Sequence, residues 1–482
     1  MLEFLNDLLW SKVLIFVLIV LGLLFTVQSR LVQFRYFGSM FGILGQAFRH
    51  EKGHLSSFQA LALSVAGRVG AGNIAGVAVA VTLGGPGAIF WMWMIGLIGM
   101  ATSLVECSLA QAYKIAEPDG TYRGGPAFYI QRGLRQKWLA VLFSILLLVA
   151  FGFSFNALQS FTIATSFQDT FGVPTYVTGI ITAAVLGLVI FGGIKRIAEV
   201  AEFVVPFMAI AYLLVALLVI GTNLAEVPAT LMYIVRSAFG LEPAIAGGIG
   251  AAILFGVRRG LFSNEAGLGS APNVAAVAFV RHPVSQGVVQ AFSVFIDTLI
   301  LCTCTAMIIL LSGAYTPGME IGGISLTQTA LAEHVGEWGR VFVTLALLFF
   351  SFTSIMYNYY LGENSLSFMA GENKALFTGF RAVTLVLVLW GSMQDLGTVF
   401  AFADVAMGLL ALVNLIALAL LFKVALRLIR DYDTQRAAGQ REPVFDVAKF
   451  SDLDLDREAW RDVGPADAPA SAGTAGVQGA SS

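Results

Sequence analysis

Runs of about twenty apolar residues recur along this chain, each long enough for a helix to cross a bilayer. Eleven can be placed, at 9–29, 56–83, 87–113, 138–167, 175–194, 202–222, 244–279, 285–313, 339–361, 375–393 and 398–426. A backbone in lipid must satisfy its own donors and acceptors, so these runs predict helices and an all-α polytopic membrane protein. The content of 57% hydrophobic and 12% charged residues agrees. A net charge of −2, with no basic run or aromatic-basic stripe, excludes a nucleic-acid partner. Cys107, Cys302 and Cys304 fall inside expected spans without metal-knuckle or CxxC spacing, and read as small packing residues. The N-terminus carries Glu3 and Asp7 instead of a basic stretch, and its apolar run ends at Gln28-Ser29-Arg30 without a small-residue cleavage motif. The first span is therefore expected to be a retained helix, not a signal peptide.

Lysine and arginine favour cytoplasmic loops. With the N-terminus outside, the five inner loops collect fourteen of them, from Arg30 to Arg381, and the outer side holds Lys12, Arg236 and Arg340. Eleven crossings then leave the C-terminus in the cytoplasm. The expected organisation is an extra N-terminal helix at 1–30, a first set of five spans within 31–222 and a second within 223–426. The segment 427–482 turns charged and then rich in alanine, glycine, serine and proline, and is expected to be a largely disordered cytoplasmic tail.

Two spans are interrupted in the same way. Gly72-Asn73-Ile74-Ala75-Gly76 and Ser263-Asn264-Glu265-Ala266-Gly267 share an Asn-x-Ala-Gly core, 191 residues apart. Five spans separate their starts, so the two halves run in opposite senses across the membrane. Paired breaks in inverted halves are what a carrier needs to alternate access to one midplane site. In the first break, Gly67, Gly70 and Gly72 flank Arg68 and Asn73 near mid-membrane. The N–H groups that restart the helix would favour an anion such as a carboxylate. A glycine-lined helix contact is the plain alternative for either segment alone.

The second break brings Arg258, Arg259 and Glu265 into an apolar stretch. A charge at the bilayer centre costs about 2.5–3.5 kcal/mol on insertion scales unless paired or wet. Pairing of Arg258 or Arg259 with Glu265, or of Arg68 with Glu106, would relieve that cost. In the ninth span Thr353 and Ser354 offer hydroxyls for a small cation, although such hydroxyls usually bond the preceding turn. Asn156 and Gln159 lie three apart on one face of the fourth span and can bond a polar solute or glue helices. Asp297 in the eighth span is either a proton or ion site or a structural carboxylate.

Longer motifs carry a resemblance. Gly72 to Val77, Gly84-Gly85-Pro86-Gly87-Ala88-Ile89-Phe90-Trp91-Met92-Trp93, Gly99-Met100-Ala101-Thr102 with Glu106-Cys107, and Arg259 to Pro272 resemble the signatures of the alanine or glycine:cation symporter family. Phe295-Ile296-Asp297-Thr298 and Tyr359-Tyr360 with Gly362-Glu363 fit as well, and the likeness covers about nine tenths of the chain. The resemblance implies a LeuT-type fold, with a five-plus-five inverted repeat, broken first and sixth core helices and one extra N-terminal helix. It implies sodium-driven import of a small neutral amino acid, alanine or glycine, across a bacterial or archaeal plasma membrane. By the same likeness, Ala71, Gly72 and Asn73 would hold the substrate carboxylate. Phe262, Ser263 and Asn264 would face its amine, with Gln159 and Asn358 nearby. Sodium would lie on backbone carbonyls near Ala66 and Val69 with Thr353 and Ser354. Ala71 stands where threonine is frequent, Phe161 where asparagine is, and Tyr357-Asn358 where Gly-Trp or Gly-Asn is usual, so substrate choice is the property these departures touch.

No cofactor is implied beyond the co-transported sodium ion; the other expected partners are the amino acid and the lipid bilayer. A larger substrate such as glutamine, or proton coupling through Asp297 or Glu265, is the alternative within the class. A channel is more remote, because it would not need inverted broken helices. An enzyme would need a nucleophile and base, and His50, His54, His282 and His334 form no such set.

Overall fold

The computed structural model describes residues 2–47, 55–118, 120–242, 248–319 and 323–461. The start of the seventh expected span at 244–247, His50, His54 and the residues after 461 lie outside the described residues. The described chain is almost wholly helical. One two-stranded hairpin, Ile115–Ala116 with Tyr122–Arg123, is described on the side where the third span ends.

The helices that build the molecule are α1 (Phe4–Gln28), α2 (Ser57–Arg68), α3 (Gly72–Gly84), α4 (Gly87–Ala112), α5 (Lys137–Phe171) and α6 (Thr175–Ile190). They continue as α7 (Gly193–Thr222), α8 (Val227–Ala238), α9 (Gly248–Asn264), α10 (Ala271–Ala275) and α11 (Pro283–Leu310). The last are α12 (Gly323–Val335), α13 (Trp338–Ala370), α14 (Lys374–Gly391) and α15 (Leu396–Ala437).

Eight helices among the described residues are long and apolar enough to cross a membrane, and the pair α2 and α3, bent by 48°, makes nine. The other two expected spans are represented by α6, with 16 residues, and α9, with 17. α9 ends where its chain leaves helical geometry at Glu265, with φ at 55°.

Several helices overshoot their apolar windows. α7 begins at Gly193 instead of 202, α13 continues to Ala370 and α15 to Ala437. Hydropathy marks the stretch that lipid touches, whereas a helix ends where its last groups are capped. Gly371, at φ 67°, terminates α13, and the Asn373 side chain accepts from the N–H groups of Ala375 and Leu376 to start α14. Asp395 accepts from Thr398 N–H at 2.9 Å to start α15.

The expectation of a largely disordered segment from 427 is corrected for 427–461. α15 runs to Ala437, and short 3-10 turns follow at Val447–Phe450 and Glu458–Trp460. Phe445, Phe450 and Trp460 are buried against the helical ends, so this stretch has apolar surface to hide despite its charge.

Four helices from the first expected set of spans pack on four from the second. α3 lies on α9, α4 on α11, α5 on α13 and α6 on α14. α1 packs outside this arrangement, on α4 and α15, with the Trp10 indole N–H donating to the Asp404 carbonyl at 3.1 Å. The result places both interrupted segments in the interior.

Candidate substrate and ion site

The first interruption is defined by its caps. Ser56 and Gln59 form a capping box that starts α2, and Val69 ends it with an extended ψ of 95°. The helix restarts through a π turn over Gly72–Gly76. Asn73 Oδ1 takes the Gly70 N–H at 3.0 Å, and Gln159 Oε1 takes the Ala71 N–H at 3.0 Å. The carbonyls released from α2 meet a hydroxyl: Ser354 Oγ lies 2.8 Å from Ala66 O and 3.4 Å from Val69 O. Gly70 is required by close approach. A Cβ there would lie 2.5 Å from Ser354 Oγ and 2.8 Å from Gln159 Nε2.

Three of the four expected sodium positions, Ala66, Val69 and Ser354, therefore come together. Thr353 does not join them; its hydroxyl bonds Phe349 O and Phe350 O of its own helix at 3.0 Å each. That is the ordinary behaviour of a hydroxyl inside a span.

The second interruption turns on positive backbone angles at Glu265, Gly267 (φ 90°) and Gly269 (φ 79°), before α10 resumes at Ala271. Glycine carries the two wider angles at no steric cost. Glu106 Oε1 accepts the Gly267 N–H at 3.2 Å, and Asn414 Nδ2 bridges Gly267 O at 2.9 Å and Glu106 Oε2 at 3.0 Å. Glu265 accepts from Ser270 Oγ at 2.6 Å and Tyr357 OH at 3.1 Å.

Both ion pairs expected from sequence are corrected. Arg258 and Arg259 turn to Asp404 of α15, at 3.4 Å and 2.6 Å, not to Glu265. Arg68 makes no ion pair with Glu106; it donates to Gln290 O at 3.1 Å, Ser103 Oγ at 3.0 Å and the Ser293 hydroxyl. The reason is shared: the carboxylates of Glu106 and Glu265 are taken up by donors of the broken backbone and its flanking side chains. The guanidinium groups then find partners on other helices.

The breaks meet at Asn73 and Ser263. Asn73 Nδ2 lies 3.3 Å from Ser263 Oγ and donates to Asp297 Oδ1 at 2.7 Å. Ser263 Oγ donates to Asp297 Oδ2 at 2.7 Å and Thr298 Oγ1 to the same oxygen at 2.8 Å. Asp297 is thus the joint between α3, α9 and α11, and its shell of donors suits a carboxylate. Sequence flagged it only as one of two possibilities. Phe262 closes the other side: a Cβ on Gly72 would touch its ring at 3.0 Å, and the ring lies against Phe155 and Phe400.

All the expected substrate positions are buried. Ala71, Gly72, Asn73, Gln159, Phe262 and Ser263 form one connected set through these contacts. Asn264 turns its Oδ1 to the Ala266 N–H at 2.9 Å, leaving its Nδ2 without a partner. Asn358, one turn beyond Ser354, has neither amide atom bonded within the protein. Buried amides of this kind are unusual, because each orphaned group costs roughly 1–3 kcal/mol. They are available to a polar solute.

A profile of the sodium:alanine symporter family matches residues 1–447, spanning both interruptions. The chain belongs to that family. It is 47% identical over 448 residues to the probable sodium/glutamine symporter GlnT of Bacillus subtilis, covering 92% of this chain and 93% of the relative. A putative sodium/proton-dependent alanine carrier of the same organism, YrbD, is 44% identical over 457 residues, with coverage of 92% and 94%. Among solved structures, a manganese transporter of Eremococcus coleocola aligns with 84% of this chain and 83% of its own, at 15% identity and a TM-score of 0.49. As a sodium:alanine symporter family member, the chain is a multi-pass secondary transporter.

Proposed function

We propose that this protein couples inward movement of sodium to import of a small neutral amino acid, alanine or glycine, by alternating access around the two interrupted spans. The observation that carries the reading is the meeting of the breaks: Asn73 beside Ser263 on one side, and Ser354 against the freed carbonyls of Ala66 and Val69 on the other.

In this reading the first turn of α3, around Ala71, Gly72 and Asn73, takes the substrate carboxylate on its N–H groups, the carboxylate displacing Gln159 Oε1 from the Ala71 N–H and Gly70 O from the Asn73 N–H. Ser263 and Asn264 face the amine, and Gln159 and Asn358 supply further polar contacts. Phe262 packs on the small side chain. Sodium takes hard oxygens from Ala66, Val69 and Ser354, with Thr353 joining only if its hydroxyl turns away from its own helix. Sodium tightens substrate binding only to the extent that it prefers the substrate-competent form; a tenfold effect corresponds to about 1.4 kcal/mol and is reciprocal. The packing of α3 on α9, α4 on α11, α5 on α13 and α6 on α14 supports a LeuT-type inverted repeat. In that arrangement eleven crossings put the N-terminus outside a bacterial or archaeal plasma membrane.

A second reading, transport of glutamine, is favoured by the similarity to the probable sodium/glutamine symporter. Uptake of labelled alanine, glycine, serine and glutamine into proteoliposomes under sodium, lithium or proton gradients separates the two. Sodium-driven, saturable alanine or glycine uptake is expected. Glutamine uptake alone would replace the substrate, and a non-saturating, sodium-independent leak would replace the mechanism with a channel.

A further inference from the structure

We propose that residues 444–460 form a strap that holds the carrier closed on the face where charge asymmetry puts the cytoplasm, and that its release favours inward opening. The inference rests on the carrier reading above.

The strap is anchored at both ends. Near its start, Val444 exchanges two hydrogen bonds with the Gln435 side chain of α15, at 2.8 and 2.9 Å, and Phe445 N–H donates to Arg281 O at 2.8 Å. Arg281 lies in the connection between α10 and α11, directly beyond the inner half of the second broken span. Near its end, Asp456 accepts the Ala116 N–H at 3.0 Å and Asp454 pairs with Arg132 at 3.1 Å. The strap therefore runs from α15, across the end of one broken span, to the connection that follows α4.

Its centre is a buried lysine. Lys114, just past the end of α4, has no exposed surface and lies between the Tyr122 ring at 4.0 Å and the Trp460 ring at 4.4 Å. Its Nζ donates to Ala278 O at 3.3 Å. Residue 278 in turn bridges Leu55, and Phe279 N–H donates to Leu55 O at 3.0 Å. Leu55 directly precedes the cap of α2. The cytoplasmic ends of both broken spans are thus joined to each other and, through Lys114, to Trp460.

This continuity has a mechanical consequence. An inward-open form must separate the inner halves of the broken spans from the helices around them. It cannot do so while Phe445 holds Arg281 and Trp460 covers Lys114. Exposed ion pairs such as Arg427 with Asp452 contribute little in water. Phe445, Phe450 and Trp460, all buried, supply the hold. Burial also pulls the Lys114 ammonium down to about 7, while the two aromatic faces and the Ala278 carbonyl favour its charge. Exposure to water restores an ordinary, less reactive but accessible amine.

Two variants test the strap: deletion of residues 444–482, and Trp460→Ala in the full chain, with Trp460→Phe retaining a ring. Lys114 is labelled in inside-out membrane vesicles with an impermeant amine reagent, and sodium-driven amino-acid uptake is measured on the same proteins. In the full chain and in Trp460→Phe, Lys114 is expected to be protected. In the deletion and in Trp460→Ala, labelling is expected to rise about tenfold, the scale of losing a desolvated cation–π contact, with uptake rising at least about threefold. Equal labelling in all four proteins overturns the strap, and so does faster labelling with unchanged or lower uptake in Trp460→Ala. If no protein, the full chain included, shows sodium-driven uptake, the carrier reading fails, while labelling still reports whether the segment covers Lys114.

Discussion

Replacing Asp297 by asparagine is expected to lower sodium-driven uptake at least about 100-fold while leaving the protein folded in the membrane. Asp297 takes donors from Asn73, Ser263 and Thr298, on three different segments, at 2.7, 2.7 and 2.8 Å. Asparagine keeps the shape but places an NH₂ where one oxygen accepts, so at least one donor faces another donor. Hydrogen bonds to charged groups contribute about 1.5–3 kcal/mol each, and losing one or two accounts for a hundredfold effect. The loss falls where the two interrupted spans touch, so it disturbs binding geometry before it disturbs the bundle. Uptake assays paired with a thermal melt check this. Wild-type uptake would remove Asp297 from the site, and a collapsed melting temperature would make it a structural carboxylate only.

The second large effect is expected at Ser354. Its hydroxyl is the side-chain oxygen found beside the freed carbonyls of Ala66 and Val69, so Ser354→Ala should raise the half-saturating sodium concentration about tenfold or more. Substrate affinity at saturating sodium should change much less, because linkage ties the two ligands only through the bound ion. Thr353→Ala is the internal control. Its hydroxyl is already occupied by Phe349 O and Phe350 O, so a smaller sodium shift is expected. Equal effects of the two substitutions would show that Thr353 turns inward to share the ion, and no effect of either would move the sodium site elsewhere.

The interruptions were legible in the chain because glycine clusters and buried charges are both out of place in an apolar helix. Gly70 and Gly267 sit in the expected interruptions, where the structure gives each its own role, one allowing close approach and the other a left-handed turn. Partner choice was not legible. Arg259 is 145 residues from Asp404, and nothing local distinguishes that carboxylate from Glu265, six positions away. Only the tertiary approach of α15 side chains to α9, with Phe400 against Phe262, decides it. Helix ends were misjudged at Gly193, Ala370 and Ala437 because hydropathy reports lipid contact, not capping. The folded stretch after α15 was hidden by its charge; the signal that would have found it is the spacing of Phe445, Phe450 and Trp460, apolar rings a disordered tail has no reason to keep.

The central claim is that one solute and sodium cross together through the meeting point of the breaks. The most direct measurement is labelled alanine accumulation in proteoliposomes at fixed membrane voltage, with sodium either higher outside or equal on both sides. Accumulation above the external concentration with the gradient, and mere equilibration without it, is the predicted result. Accumulation that is the same with and without the gradient, or that never exceeds equilibration, would contradict the account.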